Sequence, residues 1–451
     1  MNVTQHDRDG LVILGIPDPY VAPRYRRSTH HDIHLSITNG QSVMKIIDGK
    51  TILPGSRRRR LPSRALNVLA LSTCDRRNLQ FQYDNRKFDL RAIYVDLRAC
   101  GLVVCMRSNR LPLPNYNLHT FYYPWYDSPD VDGDYMHWNH VYMPHWDKKE
   151  ATKWRTGRHV PPHDVGSNFY PQLGAYSSRN RTVLHIHMLQ MRTAGIGVLV
   201  VSWFPPNRHD PNGSGLDSVM PRILDIAHQH KLKVAMHSEP YDGRQGQRLY
   251  DDLKYFVDTY GEHPALYRVE RKNGSPALPM IYVYDSYFTP TEDWVNLLHP
   301  NGKLSIRGSK YDCICITLLV QQGHKGLLQR ANFDGFYTYF ATNGFTYGST
   351  QRNWHSLKQM ANQLGKLFRP WNKANIRDRK HGVYCASSFQ AVLQLKTRFV
   401  SITSFNEWHQ GTQIEPAVPK AIDDFTYLDY SPLKPDAYLE ATRTWAQLVG
   451  K

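Results

Sequence analysis

From His119 onward, short apolar runs of strand length alternate with longer segments that have the apolar spacing of helices. The runs are apolar on both faces, which is typical of parallel strands covered by helices on each side. Seven runs follow this pattern, at residues 119–126, 196–204, 233–237, 279–284, 313–320, 333–340 and 399–405. Helices are predicted at residues 182–193, 221–230, 247–260, 353–367, 387–397 and 435–449. This alternation predicts an α/β fold built around a parallel sheet.

Polar and aromatic residues follow the apolar part of many of these runs. Examples are Trp203, His237 and Glu239, Tyr284 and Asp285, Tyr339, and Asn406 to Trp408. A (β/α)8 barrel gathers its functional residues at the carboxyl ends of many strands, whereas an open doubly wound sheet concentrates them at one crevice. The sequence therefore favours a (β/α)8 (TIM) barrel.

A barrel needs an eighth strand, and the sequence has no apolar run for it. The strand is expected between the helix ending near residue 367 and the one beginning near residue 387. Residues 368–381 are instead rich in charge and contain no apolar run. We predict a barrel in which one strand is missing near residue 368.

The first quarter of the chain has a different composition. Residues 1–110 carry 19 Lys and Arg against 9 Asp, a net charge of +10 out of +17 for the whole chain. Nucleic-acid binding is one interpretation of this excess. No zinc-finger, RNA-binding or helix-turn-helix pattern accompanies it, so we expect a solvated basic segment and no nucleic-acid partner. We divide the chain into a basic region at 1–118 and a barrel domain at 119–451.

The candidate chemistry lies in carboxylates at predicted strand ends. Glu407 stands between Asn406 and Trp408, an arrangement that recurs where an amide and an aromatic ring bind sugar while a carboxylate handles protons. Glu239, with Tyr241 nearby, and Asp285 supply further acidic groups from other strands. Paired carboxylates suit glycosidic hydrolysis. The alternative for Glu407 is a surface carboxylate beside a core tryptophan, and Glu239 and Asp285 could instead be structural hydrogen-bond acceptors, although the repeated pattern favours a functional role for these two.

An aromatic-rich segment at residues 122–146 completes the candidate site. It contains Tyr123 and Trp125, whose rings combine apolar area with a polar group and so suit carbohydrate. It also contains His137, His140 and His145, which would permit a metal site. No HExxH pattern accompanies these histidines, and the intervening tryptophans fit a stacking surface better. We expect no metal and no cofactor.

These residues resemble the glycoprotein endo-α-1,2-mannosidases, a glycoside hydrolase family. The resemblance covers about 330 residues, from His119 to the end of the chain. It rests on long motifs at residues 119–126, 137–140, 196–206, 239–241, 337–348 and 406–409.

The resemblance implies a (β/α)8 barrel and a metal-independent, retaining cleavage within N-linked glycans. The bond cut would be the α-1,2 linkage to the mannose that bears the glucose, in a glycoprotein or free glycan. Family members usually lie in the Golgi lumen behind an N-terminal membrane anchor. The first 30 residues lack the apolar core of a signal peptide. We therefore expect membrane association only through an anchor that this chain does not show.

The family's catalytic pair is two glutamates in the pattern NEWxEG. Glu407 matches the first, whose implied role is to deprotonate the sugar 2-hydroxyl. The second, the general acid/base, corresponds to Gln410. An amide cannot deliver a proton to the leaving oxygen. Proton delivery by a general acid contributes on the order of 10²–10⁴-fold in rate.

Two hypotheses follow for the activity of the chain. The first is a glycoside hydrolase of the endo-α-1,2-mannosidase type, with activity impaired at Gln410. The alternative is a catalytically silent protein that keeps the glycan-binding cleft. Together with the missing strand, Gln410 indicates a degenerate copy, a splice form or an imperfect gene model of such an enzyme.

Overall fold

In a computed structural model, the described residues are 111–142, 156–210, 212–213, 215–340, 343–363, 379–422 and 425–450, with the backbone of five earlier strands. The chain divides into two units, Tyr20–Leu111 and a larger one that contains Pro112–Lys451. The smaller unit has a three-stranded antiparallel sheet and a two-stranded hairpin. Their strands are Leu35–Thr38, Gln41–Ile47, Ala65–Ser72, Ile93–Asp96 and Val103–Met106. The rest of the basic region predicted at 1–118, up to residue 110, lies outside the described residues.

The larger unit is built on seven parallel strands within the described ranges. They are β1 (Asn115–Tyr122), β2 (Ile196–Trp203), β3 (Lys233–Ser238), β4 (Ala277–Val283), β5 (Ile314–Leu318), β6 (Gly335–Tyr337) and β7 (Val400–Ile402). Their spatial order is β6-β5-β4-β3-β2-β1-β7, so the last strand returns to pair with the first. A short strand, Arg268–Glu270, pairs antiparallel with the start of β4. This order is that of a (β/α)8 barrel, as predicted.

Within the described residues, no strand lies between β6 and β7 to close the sheet. A closed barrel would place one more strand there, and residues 364–378, which contain the position of the predicted gap near residue 368, lie outside the described residues. The hydroxyls of Thr338, directly after β6, and Ser401, within β7, are buried without a hydrogen-bond partner in the described part of the chain. The open sheet is consistent with the loss of one barrel strand.

Helices follow most of the strands and cover the outside of the sheet. They are α1 (Arg181–Thr193), α2 (Met220–Gln229), α3 (Gln247–Tyr260), α4 (Thr291–Leu298), α5 (Lys325–Arg330), α6 (Trp354–Gln363), α7 (Val383–Leu395) and α8 (Ala437–Ala446). Asn180 caps α1 by accepting hydrogen bonds from two backbone N–H groups of its first turn. Across the described ranges, each helix is too short or too polar to cross a membrane.

Aromatic and histidine side chains fill the inside of the barrel. His119 on β1 lies with its Nδ1 2.9 Å from the Tyr282 hydroxyl on β4. His237 on β3 lies with its Nε2 2.8 Å from the Tyr337 hydroxyl on β6. The Phe121 ring packs 4.7 Å from the ring of His237. Hydrogen bonds across the interior thus join strands that are not neighbours in the sheet, and the barrel interior is a packed core.

Two half-buried histidines join α1 to the end of α2. The Nδ1 of His185 lies 3.1 Å from the Nε2 of His230. Burial, His185 and Arg192 lower the pKa of His230 to about 4. Burial and Arg181 also lower the pKa of His185. The pair is therefore held neutral in the folded protein.

We expect this pair to make the barrel less stable in acid. An unfolded histidine titrates near 6.5, so the folded state loses up to about 3 kcal/mol from His230 as pH falls from 6.5 towards 4. Urea unfolding at several pH values should show that His230→Gln loses less free energy of unfolding than wild type as the pH falls. His228→Gln, an exposed substitution on the same helix, should show the same dependence of the unfolding free energy on pH as wild type. If wild type and His230→Gln showed the same dependence, the lowered pKa of His230 would be contradicted.

Candidate active site

Glu407 lies in the loop that follows β7, at the carboxyl end of the barrel. Its side chain is only 2% exposed. The Glu407 N–H donates to the Ser404 hydroxyl at 2.7 Å, and its carboxylate accepts the Gln410 N–H at 2.6 Å. A buried carboxylate fixed by a tight turn has the restricted orientation that acid–base chemistry needs.

Asn406 connects this loop to the end of β1. Its side-chain oxygen accepts the Tyr123 N–H at 2.8 Å, and its amide nitrogen donates to the Tyr123 carbonyl at 2.9 Å. The Tyr126 hydroxyl donates to the Asn406 carbonyl at 3.0 Å and accepts the Trp408 N–H at the same distance. In this arrangement the Asn406 amide fixes the position of Glu407, and its predicted contact with sugar hydroxyls stays a prediction.

A polar cluster of buried residues lies beneath the loop, around Glu415. The Glu415 carboxylate accepts hydrogen bonds from the Tyr176 hydroxyl at 2.8 Å and the Trp408 indole N–H at 3.0 Å. Its other oxygen lies 3.1 Å from the Nε2 of His187 on α1. Trp408 is therefore a buried support for the loop. Since its ring is 0% exposed, stacking on a sugar would require the loop to move.

The second carboxylate of the site, Glu239, lies just after β3. One of its oxygens accepts the Ser202 hydroxyl at 2.8 Å and lies 3.1 Å from the Nδ1 of His237. Its backbone N–H donates to the Trp203 carbonyl at 3.1 Å. Glu239 is 7% exposed. Residues of β2 and β3 thus orient this carboxylate at the same end of the barrel as Glu407.

Three tyrosines lie near these carboxylates: Tyr123 and Tyr339 interact with both Glu239 and Glu407, and Tyr284 with Glu239. The Tyr123 and Tyr339 hydroxyls are hydrogen-bonded to each other. The Tyr339 ring packs 5.0 Å from the ring of Tyr284. Burial raises the pKa of Tyr339 well above its usual range, and the negative charge of Glu407 raises it further. Burial likewise raises the pKa of Tyr123, and the negative charges of Glu239 and Glu407 raise it further. The phenols therefore stay protonated and can donate hydrogen bonds.

A buried arginine, Arg244, joins the loops after β3 and β4. Its guanidinium donates to the Ser238 carbonyl at 3.2 Å and to the Asp285 carbonyl at 2.9 Å. The Asp285 carboxylate accepts the Tyr287 hydroxyl at 2.5 Å. Burial raises the pKa of Asp285, although that hydrogen bond opposes the change. Arg244 was not among the candidates from the sequence, since no motif residue marks it apart from its place five positions after Glu239.

Two further candidates lie at the margin of this cluster. The Tyr241 hydroxyl donates to Asp252, and Tyr241 lines a hollow of about 340 Å³ together with Arg244 and Phe288. The Trp203 indole instead donates to Asp217 at 2.9 Å and packs on Phe256 of α3. The structure therefore does not bring the Trp203 ring into the cluster.

Gln410 lies close to Glu407 in the chain and in space. Its backbone N–H binds the Glu407 carboxylate, while its side chain is exposed. The position where the resemblance predicts an acid thus contacts the Glu407 carboxylate through its backbone N–H. What differs there is the chemistry of the side chain.

Comparison with known proteins identifies the family. The family model for glycosyl hydrolase family 99 matches residues 112–451. The chain belongs to glycosyl hydrolase family 99. It is 47% identical over 390 residues to a glycoprotein endo-alpha-1,2-mannosidase of Rattus norvegicus, covering 82% of this chain and 84% of that protein. Its identity to the Mus musculus protein of the same name is 50% over 374 residues, covering 79% and 81%.

A solved family 99 structure supports the same assignment. The endo-alpha-mannosidase of Bacteroides thetaiotaomicron is 38% identical and superposes with a TM-score of 0.66, covering 74% of this chain and 97% of that one. These likenesses confirm the predicted family and the barrel fold. They favour a glycoside hydrolase over the silent glycan-binding alternative.

We predict that Asn406→Ala destabilises the family 99 domain by about 2–4 kcal/mol, because the buried Tyr123 N–H and carbonyl would lose their partners. Urea unfolding of the purified variant measures the change. Gln410→Ala, an exposed substitution in the same loop, should stay within about 0.5 kcal/mol of wild type. Equal effects of the two substitutions would show that Asn406 does not hold the loop.

Proposed function

We propose that this family 99 protein is an endo-α-1,2-mannosidase acting on N-linked glycans, with a retaining mechanism and reduced activity. The observation that most directly supports this proposal is the buried Glu407 carboxylate, which lies beside Asn406 at the carboxyl end of the barrel. The names of its relatives support the substrate class. The substrate would be a glucosylated high-mannose glycan, free or on a glycoprotein.

In the proposed first step, Glu407 accepts the proton of the sugar 2-hydroxyl. The freed oxygen attacks the anomeric carbon, and the bond to the leaving oxygen breaks. Opening of the resulting anhydro-sugar by water then restores the original anomeric configuration. Glu239 and the hydroxyls of Tyr123 and Tyr339 would bind the sugar, because they converge in the same space. Tyr241, Tyr284 and Asp285 would bind the glycan further along the cleft.

The leaving oxygen must gain a proton during this step. Gln410 carries an amide at the position of the family acid, and an amide supplies no proton at neutral pH. The aglycone would then leave as an alkoxide or take its proton from water, which slows the reaction. This substitution is the reason to expect low turnover.

The resemblance also implies where this activity would take place. Glycan processing of this kind belongs to the Golgi lumen, and a membrane anchor would hold the enzyme there. The Golgi location forms part of the proposal, and the anchor is what the resemblance implies. Colocalisation of the expressed full chain with a Golgi marker would support that location, and a diffuse cytosolic distribution would count against it.

We predict that Gln410→Glu raises turnover of glucosylated high-mannose glycan by about 10²–10⁴-fold, because it returns the general acid. Release of the glucosylated mannose oligosaccharide, followed by mass spectrometry, measures the rate. Glu407→Gln in the same background should abolish release.

The two variants also separate the alternatives. Wild-type turnover equal to that of Gln410→Glu would show that position 410 contributes no acid. Wild-type binding of the glycan with no turnover at all would support the silent glycan-binding alternative.

A second prediction concerns the leaving group. A glycosyl fluoride needs no protonation to depart, so wild type and Gln410→Glu should cleave a matched α-mannosyl fluoride at rates within about tenfold of each other. Fluoride release measures both rates. A difference as large as that for the glycan would mean that Gln410 impairs a step other than proton delivery.

A further inference from the structure

A histidine–aspartate pair links the loops after β1 and β2 at the carboxyl end of the barrel. The Nε2 of His137 is bonded to a carboxylate oxygen of Asp210. The residues are 5% and 6% exposed, respectively. His137 has a φ of 63°, in the left-handed region that few non-glycine residues adopt. A buried polar pair at a conformationally costly position is a common mark of a functional constraint.

The imidazole of His137 is stacked on Trp125. The two ring centroids lie 4.5 Å apart, and the rings are parallel to within 1°. The Tyr123 ring packs on the same indole, also at 4.5 Å, with a tilt of 31°. Trp125 thus contacts the other two rings of this aromatic stack, and Asp210 holds the imidazole.

This stack changes the role that the sequence suggests for Trp125. We expected its face to bind a sugar, and the rings of Tyr123 and His137 reduce the area of this half-buried indole that a sugar could contact. The indole also contacts the ring of Tyr123, whose hydroxyl is bonded to that of Tyr339. A displacement of His137 would therefore move the phenols that lie near Glu407 and Glu239.

We propose that His137 and Asp210 are positioning residues for the sugar site, acting through Trp125 on Tyr123. This inference rests on the proposed function for its substrate, an α-mannose-containing oligosaccharide. The pair contacts no reacting atom in the proposed reaction. Its contribution is to hold the aromatic wall of the cleft before the substrate arrives, which lowers the ordering cost of binding.

The first test measures the stack without any carbohydrate. The difference in near-UV circular dichroism between wild type and Trp125→Phe isolates the signal of the Trp125 indole. His137→Ala should remove most of this signal, and His137→Phe, which keeps a ring, should retain part of it. An unchanged signal in His137→Ala would overturn the stack.

The second test measures substrate recognition, in the Gln410→Glu background so that turnover can be followed. His137→Ala and Asp210→Ala should each raise KM for the glucosylated glycan about tenfold, the value of one aromatic pair, while kcat changes less than threefold. Asp210→Asn, which keeps a hydrogen-bond acceptor, should restore most of the affinity. A fall in kcat with KM unchanged would contradict a positioning role.

The control is another histidine–aspartate pair, which is more exposed. His263 lies with its Nε2 3.2 Å from Asp225, at the opposite, amino end of the barrel strands. His263→Ala should leave KM and the Trp125 signal as in wild type. An equal rise in KM would show a general effect of losing such a pair and would overturn the proposal. Absence of any glycan cleavage or binding in all variants would refute the proposed function, while the dichroism result would still decide the stack.

Discussion

The hydrogen bonds between Asn406 and the backbone of Tyr123 join the last strand of the barrel to the first, across 283 positions of sequence. Glu407 follows Asn406 directly, so its carboxylate is placed by this connection. Tyr123 begins the aromatic wall that faces it. The Asn406 amide therefore positions both sides of the proposed cleft relative to each other. Both sides also depend on the pairing of β7 with β1.

The hydrogen bonds of Asn406 matter more because the described residues place no strand on the other side of β7. In a closed barrel β7 would have a strand on each side, which would restrict its position from both directions. Here its described partner is β1, and the buried hydroxyl of Ser401 has no hydrogen-bond partner among the described residues. The Asn406 amide and the Glu415 cluster thus carry much of the restraint on the loop that contains Glu407.

The sequence predicted the strands well because each is apolar on both faces and ends in recognisable polar residues. It also placed Glu407 and Glu239 at strand ends, where the structure has them. It could not tell which aromatic rings face the cleft. Trp203 ends a strand, and Trp408 follows one as Tyr339 does, but a change of one position along a strand turns a side chain to the opposite face.

By itself, the sequence determined the barrel, the family motifs and the chemical identity of position 410, because these depend on local pattern and residue type. The tertiary structure decided which side chains share a space. His137 and Asp210 lie 73 positions apart, and they meet only because the loops after β1 and β2 fold over the same end of the barrel. Such contacts arise from the packing of distant segments, which local spacing does not encode.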